Sequence, residues 1–193
     1  MRLRPRRAAQ RLHRSVARSG LTGILLVGGA SSRFGSPKAL AQLNGETLAE
    51  RAWRTLGETA GGRIAVGKQR DRLTLPFPVL DDGSETRAAL AGLVAGLRAA
   101  PTELCVVLPV DTPLVTPALL QELANACADA AAPTTSPLPG AYRKTALPVL
   151  ERRLVAGELA LHEALAELDT VQLEVDAALL VNVNTPDDLR RIG

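Results

Sequence analysis

The stretch that decides the fold reads ILLVGGASSRFGSPK, residues 24–38, in which an apolar run passes directly into two glycines and then into a segment with two cations. Residues 24–27 form a short, continuously apolar run, which is typical of a strand buried on both faces. Open parallel sheets bind their ligands in the loops that follow the carboxyl ends of strands. The segment therefore predicts a first strand followed by a ligand-binding loop.

The residue types of this loop suit a triphosphate. Gly28 and Gly29 let the backbone turn sharply and bring N–H groups close to an anion. Arg33 and Lys38, five residues apart, add a planar bidentate cation and a point charge. The Walker pattern does not fit, because Gly35 is followed by Ser36 and the lysine comes three residues later. The Rossmann G-x-G-x-x-G pattern does not fit either. The alternative is an ordinary glycine-rich connection with solvated cations.

Beyond the loop, short apolar runs alternate with stretches of helical periodicity, which predicts an α/β protein with a mostly parallel sheet. We expect a three-layer α/β/α sandwich with a Rossmann-like sheet. Residues 133–140, rich in proline, predict a mobile loop. The other predicted elements are strands near 64–66, 79–80, 104–110, 171–175 and 179–183, helices at 47–56, 86–100, 116–130 and 158–168, a turn at Asn44-Gly45, and a final short helix capped by Thr185.

The charge is unevenly distributed along the 193 residues. Residues 1–20 hold seven arginines and no acid, so that the net charge of +3 for the whole chain leaves −4 for residues 21–193. We therefore divide the chain into an Arg-rich tail, residues 1–20, expected to be disordered, and one domain, residues 21–193. The high pI belongs to the tail and does not indicate nucleic-acid binding.

Cysteine and apolar content exclude several classes of protein. Cys105 and Cys127 lie 22 positions apart without a CxxC spacing, and are expected to be core thiols in a reducing compartment. No apolar run approaches the roughly 18 residues of a membrane helix. We expect a cytoplasmic protein that binds neither membrane nor nucleic acid.

Four segments, in order, resemble the molybdenum cofactor guanylyltransferases (MobA-like) and the wider nucleotidyltransferase superfamily. LVGGASSRFGSPK at 26–38 resembles the family loop L-[AV]-G-G-x-S-x-R-x-G-x-x-K, and LAGL at 90–93 resembles a family helix start. LPVDTP at 108–113 resembles the D-x-P at a strand end, and NVNTPDDL at 182–189 resembles the family's terminal motif. The resemblance spans most of residues 21–192 and implies a fold of the nucleotide-diphospho-sugar transferase type.

The resemblance assigns a nucleotide to the first loop. Leu26, Val27 and Gly28 would lie along the base and ribose. The phosphates would be held by Gly29, Arg33 and Lys38. Asp81 would face the base side of the site, with its neighbour Asp82 as the less favoured substitute. An acidic turn without a role in binding is the alternative for both aspartates.

The same resemblance implies a metal and an acceptor. Asp111 would coordinate Mg2+ that bridges the nucleotide phosphates, although it could also serve as a turn cap before Pro113. Asn182 and Asn184 would lie near the metal and the acceptor phosphate. The implied reaction transfers GMP from GTP to molybdopterin, forming the guanine dinucleotide cofactor and pyrophosphate, with transient contacts to proteins that insert or deliver the molybdenum cofactor.

Two departures from the family pattern bear on nucleotide selectivity. Pro37 replaces the Asp or Asn that often precedes the lysine, and so removes one backbone donor. Arg87-Ala88-Ala89 stands where the family tends to have Gly-Pro. Transfer of a cytidylyl group to the pterin, or of a nucleotide to a sugar or polyol phosphate, is therefore the second hypothesis. A non-catalytic nucleotide-binding module and RNA binding through the arginine tail are the hypotheses from other classes.

Three further residues have open interpretations. Trp53 is expected in the core, with stacking on a cofactor as the alternative. Arg143 and Lys144 follow the proline-rich loop and are expected to be an exposed basic pair, with binding of an acceptor phosphate as the alternative.

Overall fold

A computed structural model describes residues 15–28 and 37–193. Residues 1–14 and 29–36 lie outside the described part, and so do Gly29 and Arg33 of the predicted phosphate loop. The described strands are β1 (Leu21–Leu26), β2 (Gln42–Leu43), β3 (Glu46–Thr47), β4 (Gly62–Gly67), β5 (Val79–Asp81), β6 (Leu104–Pro109), β7 (Ala130–Pro133), β8 (Gly140–Arg143) and β9 (Thr170–Leu173). The described α-helices are α1 (Leu48–Thr59), α2 (Ala89–Ala99), α3 (Pro117–Ala126), α4 (Leu147–Ala156), α5 (Leu161–Ala166) and α6 (Pro186–Ile192).

The sheet has seven strands in the order β5-β4-β1-β6-β8-β7-β9. β1 lies near its centre and pairs in parallel with β4 on one side and β6 on the other. The pairs β4–β5 and β7–β9 are also parallel, and among the described strands of this sheet only β8 runs antiparallel to its neighbours. All six residues of β1 are buried, which agrees with the apolar run in the sequence.

Helices cover both faces of the sheet, so the α/β/α sandwich predicted from the sequence is confirmed. One apolar cluster joins Leu25 of β1 to buried leucines of α1 and α3. The second joins Ile24 of β1 to buried leucines of α2, α4 and α5. Because consecutive strand residues point to opposite faces, β1 contributes to both clusters. In the described part of the chain, no helix is both long and apolar enough to cross a membrane.

Local signals at helix ends and turns have the effects expected from the sequence. Thr47 accepts from Glu50 N and forms a capping box at the start of α1. Thr116 caps α3, and Thr185 caps α6. The connection between β2 and β3 passes through Asn44 and Gly45, both with positive φ, 53° and 81°.

The second half of the chain departs from the prediction in several places. The helix predicted at 116–130 ends at Ala126, and residues 130–133 form β7 instead. This strand reads Ala-Ala-Ala-Pro, and all four residues are buried. The segment is a strand and not a helix because tertiary packing overrides the helix propensity of alanine. β8 and α4 were not predicted, and the strand predicted at 179–183 is wrong: residues 177–180 form a 3-10 helix.

Residues 15–20 of the predicted tail contact the domain. Val16 N donates to Asn125 Oδ1 at 2.8 Å, and Gln121 Nε2 donates to the Val16 carbonyl at 3.1 Å. Residues 18–20 then form a 3-10 helix that leads into β1.

The aromatic and sulfur-containing side chains belong to the packing. Trp53 stacks on Phe77 with ring centroids 4.1 Å apart, and the guanidinium of Arg63 lies over the Trp53 ring. Cys105 and Cys127 are free and buried, and burial raises the pKa of each thiol to about 12. The structure thus agrees with the packing interpretation of Trp53 and with the expectation of core thiols.

The close approach of α2 to β1 leads to a first prediction. A Cβ added to Gly96 would lie 2.6 Å from Cγ2 of Ile24, a β-branched side chain with no exposed surface. Overpacking of this kind costs about 1–3 kcal/mol, whereas alanine gains only about 1 kcal/mol over glycine in a helix. We expect Gly96→Ala to lower the Tm by about 2–8 °C in thermal melting.

Gly62→Ala is the matched control, because a Cβ there would meet no atom within 4 Å. We expect its Tm to equal or slightly exceed that of the wild type. Equal Tm values for Gly96→Ala and Gly62→Ala would contradict the tight packing of α2 on β1.

Candidate active site

A cavity of about 440 Å3 opens at the edge of the sheet where β1, β4 and β6 end. Leu26, Gly67 and Pro109, the last residues of these three strands, line it. Two backbone bonds extend the pairing past the strand ends: Val27 N donates to the Val66 carbonyl at 2.9 Å, and Val110 N donates to the Leu26 carbonyl at 3.0 Å. The volume falls in the range of small-molecule sites.

Most of the described residues that the sequence assigned to the site meet at this cavity. Its lining includes the six predicted residues Leu26, Val27, Gly28, Lys38, Asp111 and Asn182. Gly29 and Arg33 lie outside the described residues. The cavity thus joins four distant parts of the chain, one from each of the quoted motifs at residues 26–38, 90–93, 108–113 and 182–189, and Gly92 represents the second of them.

Lys38, Asp111 and Asn184 form the polar centre of the site. The Lys38 ammonium donates to Asp111 Oδ2 at 3.2 Å and to Asn184 Oδ1 at 3.0 Å. The Lys38 side chain is 14% exposed and that of Asp111 is 30% exposed, so both charges face the cavity while remaining partly shielded. A partly buried ammonium beside a carboxylate can bind an anion through the first group and a cation through the second.

The backbone around Asp111 and Asn184 is fixed by further hydrogen bonds. Val183 N donates to the Asp111 carbonyl at 2.8 Å, and Val183 has no exposed surface. Asp188 accepts from Asn184 N at 3.0 Å and from Thr185 N at 2.9 Å, and these bonds hold the pKa of the Asp188 carboxyl below its usual value. The 182–185 segment is thereby held across the end of β6, beside the cavity.

The donor set around Asp111 fits Mg2+ better than a softer metal. Among residues 15–28 and 37–193, no group of three or more His, Cys, Asp or Glu side chains could hold an ion. A single carboxylate with amide oxygens nearby suits a hard cation that takes its other ligands from phosphate and water. Asp111, Asn182 and Asn184 are the side chains able to contribute.

Asp81 does not reach the cavity, although the sequence placed it on the base side. Its carboxylate accepts from Gln69 N at 2.6 Å and from Gly83 N at 2.7 Å, and these two bonds lower the pKa of the carboxyl. Asp82, the less favoured substitute, lines the cavity instead and pairs with Lys68. The residues of a strand point alternately to its two sides, so a one-residue choice decides which aspartate faces a ligand.

Several lining residues were not predicted to belong to the site, although Arg87 was noted as a departure from the family pattern and residues 133–140 as a loop. Lys68 and Arg87 contribute charged side chains, and Ser136, Pro137 and Leu138 contribute the loop between β7 and β8. The Tyr142 hydroxyl, in β8, donates to the Pro137 carbonyl at 2.6 Å and so anchors the middle of this loop to the sheet.

The basic pair that follows this loop lies away from the cavity. Arg143 is the register partner of Leu104, the first residue of β6, and Lys144 N donates to the Glu103 carbonyl at 3.0 Å. The cavity lies at the opposite end of β6. The structure therefore does not favour binding of an acceptor by Arg143 and Lys144, although both residues are half-buried and so are not the exposed pair expected from the sequence.

Comparison with known proteins agrees with this geometry. The sequence model of the MobA-like NTP transferase domain matches residues 23–172. A probable molybdenum cofactor guanylyltransferase of Chloroflexus aggregans is 34% identical over 193 aligned residues, which cover 89% of this chain and 93% of the relative. Its counterpart in Aquifex aeolicus is 30% identical over 179 residues, covering 89% of each chain.

A solved structure shows the same architecture. The molybdopterin-guanine dinucleotide biosynthesis protein A of Archaeoglobus fulgidus superposes with a TM-score of 0.76 at 28% identity, covering 88% of this chain and 95% of that one. The resemblance inferred from the four motifs is confirmed by these matches. Because the domain match and both relatives extend over most of its length, the chain belongs to the MobA-like NTP transferase family.

Proposed function

We propose that this protein is a Mg2+-dependent guanylyltransferase, which transfers GMP from GTP to molybdopterin and releases pyrophosphate. The observation that carries the proposal is the meeting of Lys38, Asp111 and Asn184 at the cavity where β1, β4 and β6 end. The names of the Chloroflexus and Aquifex relatives support guanine as the base and the molybdenum cofactor as the product. The proposed setting is the cytoplasm, with transient contacts to proteins that receive the finished cofactor.

The reaction needs charge neutralisation more than a protein nucleophile. A phosphate oxygen of the acceptor attacks the α-phosphorus of GTP, and the bond from this phosphorus to the bridging oxygen of the β-phosphate breaks. Pyrophosphate leaves with the electron pair of that bond. Since both partners carry negative charge, the protein accelerates the step chiefly by holding them in line and by stabilising the developing charge.

Among the described residues of the polar centre, Lys38 supplies the positive charge. In the proposed reaction its ammonium would exchange the bond to Asp111 for one to a phosphate oxygen, since both residues line the cavity and are partly exposed. Asp111 and the two asparagines are the proposed ligands of Mg2+. When bound, this ion would neutralise phosphate charge and polarise the phosphorus–oxygen bonds.

The two sides of the cavity differ in a way that suits two substrates. Leu26, Val66 and Gly92 form an apolar surface where β1 and β4 meet α2, and a flat base fits there. Ser136 and Leu138, from the loop between β7 and β8, also line the cavity, and this part of the lining is the proposed acceptor position. The α-phosphate would then lie between the two, beside Lys38 and Asp111.

Thermal melting with each nucleoside triphosphate tests the nucleotide assignment. A ligand at 100 times its Kd stabilises the native state by about 2.7 kcal/mol, which for a domain of this size raises the Tm by about 5–10 °C. We expect this increase with GTP and Mg2+, and a smaller one with ATP, CTP and UTP. An increase with CTP instead would favour cytidylyl transfer, and none with any nucleotide would contradict the proposal.

Substitution at the polar centre tests the catalytic assignment. We expect Lys38→Met and Asp111→Asn each to lower kcat about 100-fold or more, because each removes a group that stabilises charge in the transition state. The assay measures pyrophosphate and dinucleotide cofactor formed from GTP and molybdopterin. Circular dichroism establishes that each variant is folded.

Lys144→Met is the matched control, since it removes the same type of side chain at the opposite end of β6. Its kcat should equal that of the wild type. Wild-type activity in Asp111→Asn would show that the metal assignment is wrong.

A further inference from the structure

A lysine that no motif pointed to is among the most buried charged groups in the described structure. Lys68 follows directly after β4, lines the cavity, and has a side chain that is only 5% exposed. Its ammonium donates to Asp82 Oδ1 at 2.7 Å, to the Thr86 carbonyl at 2.8 Å and to the Ser84 carbonyl. An ammonium has three N–H donors, so these three acceptors use all of them.

The three acceptors belong to one irregular segment that borders the cavity, and we name residues 82–89 the 82–89 wall. It connects β5 to α2, and its residues Asp82, Arg87, Ala88 and Ala89 line the cavity. The part before α2 forms neither helix nor strand, although Asp82 N still donates to the Gly67 carbonyl at 3.0 Å and so extends the pairing of β4 with β5 by one bond. Lys68 reaches this part both at its start, through Asp82, and near its end, through Thr86.

The bond to Lys68 also sets how Asp82 faces the cavity. Asp82 Oδ1 accepts both from Lys68 and from Ser84 N, the latter at 2.9 Å. In the described part of the chain, these bonds leave Oδ2 as the carboxylate oxygen open to a donor on a ligand. Without the ammonium, a carboxylate that is 6% exposed would be left without its counter-charge and would have to turn toward water.

We propose that Lys68 is a positioning residue for nucleotide binding: it fixes the 82–89 wall and the orientation of Asp82 without contacting the nucleotide itself. The inference rests on the proposed function, since it takes the cavity to be the nucleotide site. Because all three donors are used within the protein, Lys68 acts only through the wall. Its loss therefore weakens nucleotide binding and leaves the chemical step intact.

A second ion pair between the same two segments provides the contrast. Arg70 pairs with the Glu85 carboxylate at 3.0 Å and donates to the Glu85 carbonyl at 2.9 Å, but its side chain is 47% exposed and that of Glu85 is 98% exposed. Pairs of this kind are screened by solvent and contribute little. Neither residue lines the cavity. Arg70→Ala is thus the matched control, because it removes an exposed cation that joins the segment after β4 to the 82–89 wall without lining the cavity.

The test compares wild type, Lys68→Met and Arg70→Ala at a temperature at which melting curves show each to be folded. We expect Lys68→Met to raise the calorimetric Kd and the KM for GTP with Mg2+ at least tenfold, with kcat at saturating GTP within about threefold of wild type. This corresponds to about 1.4 kcal/mol or more of binding free energy. Arg70→Ala should bind GTP within twofold of wild type.

Hydrogen exchange gives a readout independent of turnover. We expect the amides of residues 83–88 to exchange faster in Lys68→Met than in wild type, while those of β1 and β6 are unchanged. If Lys68→Met does not fold, Lys68→Gln, which keeps two donors, replaces it with the same expectations. A folded variant that binds GTP with the wild-type Kd would overturn the proposal, and so would equal exchange in the wall.

The wild type separates failure of this inference from failure of the proposed function. If it binds CTP and not GTP, guanylyl transfer is wrong, and the same comparison is made with CTP. If it binds no triphosphate, both proposals fail. If the wild type and Lys68→Met bind a nucleotide with the same Kd, only the role of Lys68 is overturned.

Discussion

The parallel pairing of β1 with both β4 and β6 is the constraint on which the site depends. Parallel strands end at the same edge, so the segments that follow Leu26, Gly67 and Pro109 are brought together although they are far apart in the sequence. The backbone bonds of Val27 and Val110 continue this pairing beyond the strands. The position of Asp111 relative to Val27 and Gly28 therefore follows from sheet register, and the apolar clusters on both faces hold that register in place.

The polar and charged groups at this edge of the sheet come from distant parts of the chain. Lys38, Asp111 and Asn184 come from a 3-10 helix, a strand end and the segment before α6, and each contributes one polar group to a common centre. Their partial shielding strengthens the interaction of each charge with a ligand, relative to the same group in water. In the proposed reaction this centre would act on substrates that are themselves anions. The described charged groups at the centre are one ammonium, which would attract the phosphates, and one carboxylate, which would hold the metal.

The sequence predicts the first half of the molecule better than the second, for physical reasons that particular residues make clear. Residues 24–27 and Thr47 act through local patterns, from which β1 and the start of α1 follow. β7 is a run of alanines whose strand conformation depends on neighbours that no local pattern reveals. The same difference applies to the residues of the site. Sequence motifs indicate Lys38 and Asp111, whereas the choice between Asp81 and Asp82 depends on which side of a three-residue strand each side chain faces. The pairing of Lys68 with two backbone carbonyls depends on tertiary structure alone.

Lys38 and Lys68 show why residue type by itself does not assign a role. Both line the same cavity, and both pair with an aspartate. The Lys38 pair is more exposed and lies where a phosphate can compete for the ammonium. The Lys68 ammonium is enclosed by three protein acceptors, two of them carbonyls that cannot move without the backbone. In the two proposals, Lys38 would bind the ligand through an ammonium whose acceptors a phosphate can replace, and Lys68 would position the 82–89 wall through acceptors that are fixed.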